Sequence, residues 1–119
     1  MANELQVTIS SNFNLSGAQH NFSISDSLTV TSVPFHDKMY AIGTSEEEVT
    51  FGDVTPGLII MQNTDSANFV QFGRTTGVYT GRMKAGEPAC FRLDDTSNSI
   101  FLKSNTASCF VRVIAYGRS

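Results

Sequence analysis

Short segments in which apolar and polar residues alternate are the feature that most constrains how this chain can fold. In the first segment, Leu5, Val7 and Ile9 alternate with polar neighbours. A period of two is typical of a β-strand with one buried face. About ten such segments recur at intervals of roughly 8 to 12 residues, the spacing expected of a sandwich or a closed barrel. The residues that favour long helices are scarce, so the sequence predicts an all-β fold.

The predicted architecture is a single domain over residues 1–119, a jelly-roll-like β-sandwich of about 8–10 short antiparallel strands. A different two-sheet sandwich is the alternative. Strands are expected at residues 5–10, 22–25, 28–31 (ended by Pro34), 39–43, 49–51, 58–61, 69–73, 78–84, 89–93, 99–103 and 109–116. Loops and turns are expected at 11–19, 25–27 (a turn or a bulge), 45–48, 55–57, 63–68 (a hairpin loop) and 85–87. The last strand carries large side chains on both faces and is therefore expected at the centre of a sheet.

Charge and hydropathy argue against several classes of protein. Eight basic and eleven acidic side chains give a net charge of -3, whereas nucleic-acid binding depends on neutralising phosphates. No apolar run approaches the roughly 20 residues that span a bilayer, so we expect neither nucleic acid nor membrane as a partner. The N-terminal residues lack the basic stretch and apolar core of a signal peptide. Synthesis in a reducing cytoplasm is therefore expected.

The two cysteines are too few for the disulfide framework of a small secreted domain. Alternation places Cys90 on the same strand face as Arg92, and it places Cys109 on the face of Val111 and Val113. One thiol is then expected to point outward and the other inward. The pattern favours two free thiols over a bridge.

No group of residues in the sequence predicts a catalytic, cofactor-binding or metal site. His20 is expected in a polar loop and His36 beside an aspartate after a proline, and two separated histidines are too few for a metal-binding jelly roll. The carboxylate clusters at 46–48 and 94–95 are runs of adjacent residues, which point in opposite directions on an extended chain. They are therefore interpreted as solvated acidic surface. We expect the protein not to be an enzyme.

The aromatic content favours a core over a sugar-binding platform. The chain has no tryptophan, and its tyrosines, Tyr40, Tyr79 and Tyr116, are scattered. A carbohydrate-binding module is therefore an open alternative, for which the sequence contains no characteristic motif. The nine phenylalanines are expected to form the core. The strands carry Thr, Ser, Asn and Gln outward in place of Lys and Glu. Such a surface suits domains that pack in permanent assemblies, and it suits a monomer with a mildly polar surface equally well.

The second half of the chain combines an apolar strand, an Asn-rich loop, an aromatic strand and an Ala-Gly-Glu turn that leads into a strand ending in Arg-Leu. The segments are 58–65, 68–73, 77–79, 82–93 and 105–107. This combination resembles the small β-sandwich structural proteins encoded in the virion-assembly gene clusters of tailed bacteriophages. None of the motifs is catalytic, and each has a role in a turn or a strand.

The resemblance implies a non-enzymatic virion protein, most concretely a capsid cement or decoration protein that is made in the host cytoplasm. It implies self-association, as a homotrimer, and binding to the major capsid protein or other virion proteins, with no cofactor. Contacts are expected from loops 12–19 and 45–48 and from an N-terminal arm, residues 1–5. A tail, baseplate or fibre-associated adaptor is the first alternative, and a carbohydrate-binding module is the second.

Overall fold

The computed structural model describes residues 5–29, 35–93 and 97–117. Within these residues the chain forms ten β-strands and no helix, and all paired strands are antiparallel. The strands are β1 Leu5–Leu15, β2 Ala18–Leu28, β3 Phe35–Ile42, β4 Glu47–Thr50, β5 Pro56–Asn63, β6 Val70–Gly73, β7 Gly81–Met83, β8 Pro88–Arg92, β9 Ser99–Ser104 and β10 Cys109–Gly117. The described part of the chain thus contains no helix long and apolar enough to cross a membrane. The all-β prediction is confirmed.

The chain divides into two compact units, one formed by residues 1–31 with residue 119 and the other by residues 32–118. The first unit contains the hairpin of β1 and β2. The second contains β3 to β10. The expectation of a single domain over residues 1–119 stays a prediction.

The first unit is a long hairpin in which eleven residue pairs run without interruption from Leu5 opposite Leu28 to Leu15 opposite Ala18. Its turn is Ser16-Gly17, and both residues have positive φ, 49° and 84°. A two-residue type I′ turn requires positive φ at both central residues. This turn is favoured in hairpins because its backbone twist matches that of the flanking strands.

The hairpin corrects two sequence predictions. The expected loop at 11–19 is wrong, because β1 continues through Leu15 and β2 begins at Ala18. The expected turn or bulge at 25–27 is also wrong, since the pairing passes through it without a shift. Serine side chains there bond across the ladder instead of reversing the chain: Thr8 to Ser25 at 3.0 Å and Ser27 to Gln6 at 2.8 Å. The predicted strand end at residues 30–34 lies outside the described residues.

The second unit is a sandwich of two four-stranded sheets, ordered β3-β10-β5-β8 and β4-β9-β6-β7. Along the chain, only β6 and β7 follow each other within one sheet, and every other connection crosses to the opposite sheet. This is the strand order of a jelly roll. The predicted fold class is confirmed, and β10 lies between β3 and β5, as the sequence indicated.

The core lies between the two sheets and is mainly aliphatic. Strand β10 buries alternate side chains, and β5, a strand predicted at residues 58–61, buries Leu58, Ile59 and Met61 and leaves Ile60 partly exposed. The largest fully buried side chains are Phe51, Ile42, Ile59, Met61, Met83, Ile100, Leu102, Val49, Val70, Val111, Val113 and Asn63.

The expectation that the phenylalanines form the core is largely wrong. All nine lie within the described residues, and among them only Phe51 is buried, at 2% exposure. Phe13, Phe22, Phe35 and Phe110 are each at least half exposed. In β10, alternation places Phe110 on the outward face while its neighbours Cys109 and Val111 fill the interior. Phe13 and Phe22 belong to the two-stranded hairpin, where their neighbours are polar and exposed.

Several connections differ from their predicted form. Residues 63–68 do not make a hairpin, because β5 and β6 lie in different sheets. The expected turn at 55–57 is wrong, since Pro56 opens β5 and the chain reverses earlier, at Gly52 with φ of 59°. The expected 45–48 loop ends early because Glu47 opens β4. The turn at 85–87 is confirmed, with Gly86 at φ of 80°.

Candidate binding surfaces

The outward face of the β3-β10-β5-β8 sheet carries large apolar side chains. Because Val111 and Val113 point into the core, Phe110, Arg112, Ile114 and Tyr116 must point away from it. The pairing with β3 places three exposed side chains of that strand on the same face: Ala41 opposite Phe110, Met39 opposite Arg112, and Phe35 opposite Tyr116. We call this surface the β3–β10 face. Phe35 and Phe110 are both 59% exposed.

An ion pair fixes an arginine in the middle of the β3–β10 face. The Arg112 guanidinium donates two hydrogen bonds to Asp37, from Nε to Oδ1 at 3.0 Å and from Nη2 to Oδ2 at 2.7 Å. These bonds hold the pKa of Asp37 below its ordinary value and raise the pKa of Arg112. Beside the guanidinium lies a shallow hollow of about 220 Å³, lined in part by Ile60, Pro88 and Ile114.

The hairpin has one apolar and one polar face. The cross-strand register puts the odd residues of β1 and the even residues of β2 on one side. These are Leu5, Val7, Ile9, Ser11, Phe13 and Leu15 with Ala18, His20, Phe22, Ile24, Asp26 and Leu28. The opposite side consists only of Gln, Thr, Ser and Asn. We call the first side the apolar hairpin face. Its five largest exposed side chains are between 51% and 63% exposed.

A cavity of about 390 Å³ opens between the two sheets, beside β6 and β8. The rings of Phe72 and Phe91 stack in its wall, with centroids 5.6 Å apart. Ala89 of β8 also lines it, whereas Cys90, although a lining residue, carries its side chain on the outward face of that strand. Partial burial raises the pKa of the Cys90 thiol. The cavity can therefore hold an apolar group.

Both histidines lie in strands, which corrects the loop expected around His20. His36 is half-buried in β3, where its Nε2 lies 2.7 Å from the hydroxyl of Tyr40 and its ring meets Phe51 edge-on. Tyr40 in turn donates to the carbonyl of Thr50, so the pair joins β3 to β4. Burial lowers the pKa of His36, and the ring is neutral at pH 7. His20 is exposed in β2.

The carboxylates of the 46–48 cluster are held apart by different partners. Glu46 accepts from the hydroxyl of Thr76, from the backbone N–H of Gly77 at 2.7 Å and from the hydroxyl of Tyr79 at 2.5 Å. Those bonds lower the pKa of Glu46 and raise the pKa of Tyr79 to about 12. Glu48 accepts from Ser99 at 2.8 Å. Glu46 therefore holds two loops together, and Glu48 joins the paired strands β4 and β9.

Other predicted residues have mixed outcomes. Both thiols are free, with Cys90 exposed and Cys109 buried, which confirms the prediction from alternation. The 94–95 cluster and residues 1–4 of the expected arm lie outside the described residues. Across residues 5–29, 35–93 and 97–117, no three His, Cys, Asp or Glu side chains are grouped so that they could hold a metal ion.

Sequence reasoning missed both apolar surfaces, although their signals were present. Phe110, Ile114 and Tyr116 share one parity in β10, which is the outward one. Phe13 and Leu15 continue the parity of Leu5 beyond the point where a loop was expected. In both strands the sequence shows which residues share a face, but it does not show which of the two faces is buried.

Comparisons with known proteins add one distant structural match. No protein-family model matches the chain, and no curated protein matches it. A solved structure described as "Bacillus endospore appendages form a novel family of disulfide-linked pili" matches 100% of this chain and 96% of its own, with 11% identity and a TM-score of 0.41. Function is therefore inferred from the surfaces of this chain.

Proposed function

We propose that the protein is a non-enzymatic structural protein of a tailed-bacteriophage particle, bound outside the capsid as a decoration or cement protein. The observation that carries this proposal is the β3–β10 face, where Phe35, Met39 and Phe110 are exposed around Arg112. Aromatic residues, methionine and arginine are enriched in protein interfaces, whereas lysine and glutamate are depleted. A surface of this composition favours binding to another protein.

The side chains of this face stand on a rigid support. Strand β10 is hydrogen-bonded on both sides, to β3 and to β5, and Asp37 holds the guanidinium of Arg112 through two bonds. Little ordering is then needed when a partner binds, and ordering is a main cost of association. We expect Phe110 and Phe35 to be the anchors, with the adjacent 220 Å³ hollow receiving a partner side chain.

The assignment to a phage particle comes from the resemblance of the second half of the chain, and the capsid is the location that this resemblance favours. As a homo-oligomer, the protein would bind the major capsid protein at several equivalent sites, and multivalency would turn weak single contacts into tight attachment. The polar groups Glu46, Asp37 and His36 each serve a structural bond, which supports a building block over an enzyme.

Copy number in the particle tests the address. Quantitative mass spectrometry of purified virions of the source phage should find hundreds of copies per particle. Six or twelve copies would move the protein to the tail, the baseplate or a fibre. No copies would refute a virion role, and a glycan-binding screen would then test the carbohydrate-binding alternative.

The binding face is tested on capsids that lack the protein. Phe110→Ser should weaken capsid binding at least about tenfold, since truncation of an interface anchor costs about 2 kcal/mol or more and about 1.4 kcal/mol is tenfold. Val78→Ser, which changes a similarly exposed side chain elsewhere in the sandwich, should leave binding unchanged. Bound protein should also stay attached in about 1 M salt, where the Debye length is about 3 Å. Equal binding by the two variants, or release by salt, would contradict this view of the interface.

A further inference from the structure

We propose that the apolar hairpin face stacks against the same face of a second copy of this chain, related by a two-fold axis. A two-stranded hairpin exposed to water on both sides is marginally stable at best. Here eleven residue pairs are formed, while Ile9, Phe13, Leu15, Phe22 and Ile24 are all half exposed or more. The face therefore needs a cover, and this inference holds independently of the proposed phage role.

The size of the face matches what a stable pair needs. Each strand has eleven residues, which at about 3.4 Å per residue makes a strip about 37 Å long. The five large side chains, about half exposed, offer about 100 Å² each. Two copies would cover about 1,000 Å² from these side chains alone, and the seven other positions bring the total into the standard range of about 1,200–2,000 Å².

The positions of the two ionisable groups on this face select the second copy and its orientation. The apolar hairpin face carries two ionisable groups, His20 and Asp26, and both belong to β2. The face has six rows, and its centre falls between the Ile9–Ile24 row and the Ser11–Phe22 row. His20 and Asp26 therefore lie at equal distances on opposite sides of the centre.

Consider a two-fold axis that lies midway between the two stacked faces, passes over this centre and runs perpendicular to the strands. It places β1 on β1 and β2 on β2 of the second copy, with each strand antiparallel to its counterpart. His20 of one copy then faces Asp26 of the other, twice in each pair. An axis along the strands would instead place Asp26 over Val7, and His20 over Phe13, of the second copy. The transverse axis alone joins the two ionisable groups to each other.

The same axis matches a large side chain with a small one in two of its six stacked pairs. Along β2, Leu28 meets Ala18, and along β1, Ile9 meets Ser11 of the second copy. Three further pairs bring apolar side chains together: Leu5 with Leu15, Val7 with Phe13, and Ile24 with Phe22. The geometry thus points to a pair of chains, where the resemblance to phage proteins implied three.

Sedimentation equilibrium of the full chain tests the cover. The wild type should be a dimer at micromolar concentration, and Ile24→Asp should weaken the dimer at least about tenfold, because it places a charge in the stacked face. Ser23→Asp is the matched control: it introduces the same charge one residue away on the polar face, and it should leave the dimer intact. Burial of Cys109 against thiol reagents reports that the sandwich stays folded in each variant.

A charge exchange tests the orientation. His20→Asp should weaken the dimer by placing aspartates opposite each other, and His20→Asp combined with Asp26→His should restore it. A monomeric or trimeric wild type would overturn the proposal, as would equal effects of Ile24→Asp and Ser23→Asp. Failure of the double variant to recover would overturn the transverse axis. A monomer would mean that the face is covered by its own chain or by a different protein.

Discussion

Asn63 is a fully buried polar residue at the end of β5, and replacing it by alanine should destabilise the fold strongly. Its side-chain amide donates to the carbonyls of Asn68 at 2.8 Å, Met83 at 3.2 Å and Lys84 at 3.3 Å. Its side-chain oxygen accepts from the backbone N–H of Asp65 at 3.0 Å. One side chain therefore ties two connections that cross between the sheets to each other.

The expected loss follows from these bonds. Asn63→Ala keeps the backbone bonds of this residue to Gly86 and Glu87 but leaves buried groups without partners, at about 1 kcal/mol for each bond lost. The two N–H groups of the side-chain amide and its oxygen together lose about three hydrogen bonds. The free energy of unfolding should therefore fall by about 3 kcal/mol. For a chain of 119 residues, this corresponds to a decrease in Tm of about 12 °C.

Urea unfolding followed by circular dichroism measures the change, with Asn105→Ala as the control. Asn105 is exposed and accepts one bond, from the N–H of Phe69, so its loss should cost about 1 kcal/mol or less. Asn63→Asp should be less stable than Asn63→Ala at neutral pH, because a buried carboxylate would face three carbonyl oxygens. A loss below about 1 kcal/mol for Asn63→Ala, or one equal to that of the control, would refute this reasoning.

Three further results are expected. Gly73→Ala should destabilise the fold by about 3 kcal/mol, because its Cβ would overlap the backbone of the loop that follows β6. The hydrogen bond between Glu46 and Tyr79 should stabilise the fold between two pH limits. Its contribution is lost in acid, as pH falls below 4.5, the ordinary pKa of glutamate, and Glu46 is protonated at its lowered folded pKa. It is lost again in alkali, as pH rises from 10.0, the ordinary pKa of tyrosine, to about 12, where folded Tyr79 loses its proton. Cys90 should react with a thiol reagent in the native protein, whereas Cys109 should react only after unfolding.

Each of these results has its own control. Gly43→Ala, where the added methyl meets ordinary van der Waals contact, should be near neutral, and equal effects at both glycines would contradict the packing argument. Urea midpoints across pH should show a smaller acid limb in Glu46→Gln, since Asp37 and Asp65 also have lowered pKa values, and a smaller alkaline limb in Tyr79→Phe, since the pKa of Tyr40 is also raised. Unchanged limbs would contradict the role of this contact. Two reactive thiols per native chain would show that the strand bearing Cys109 opens readily.

Local pattern was enough to predict many features of the sandwich. Alternation places Cys90 outward and Cys109 inward, and the apolar run of residues 58–61 marks a strand whose side chains are buried except for Ile60, which is partly exposed. The turn at Gly86 follows from the need for positive φ. These features depend only on residues that are neighbours in the chain, so the period of two and the position of a single glycine are enough to predict them.

Connections between strands could not be predicted in the same way. The composition of residues 63–68 indicates a reversal of the chain, but it does not state whether the next strand pairs with β5 or joins the opposite sheet. That choice depends on which faces must be buried together, and Asn63 stabilises it through bonds to residues as far along the chain as Met83 and Lys84.

The sequence by itself determined that the chain forms short antiparallel strands and which residues share a face of each strand, because side-chain parity is a local consequence of extended backbone. Only the tertiary structure decided which of those faces is buried. Phe51 lies in the core, whereas Phe110 and Phe13 lie at the surface on equally alternating strands. Burial depends on what a second sheet covers, and that contact joins residues far apart in the chain.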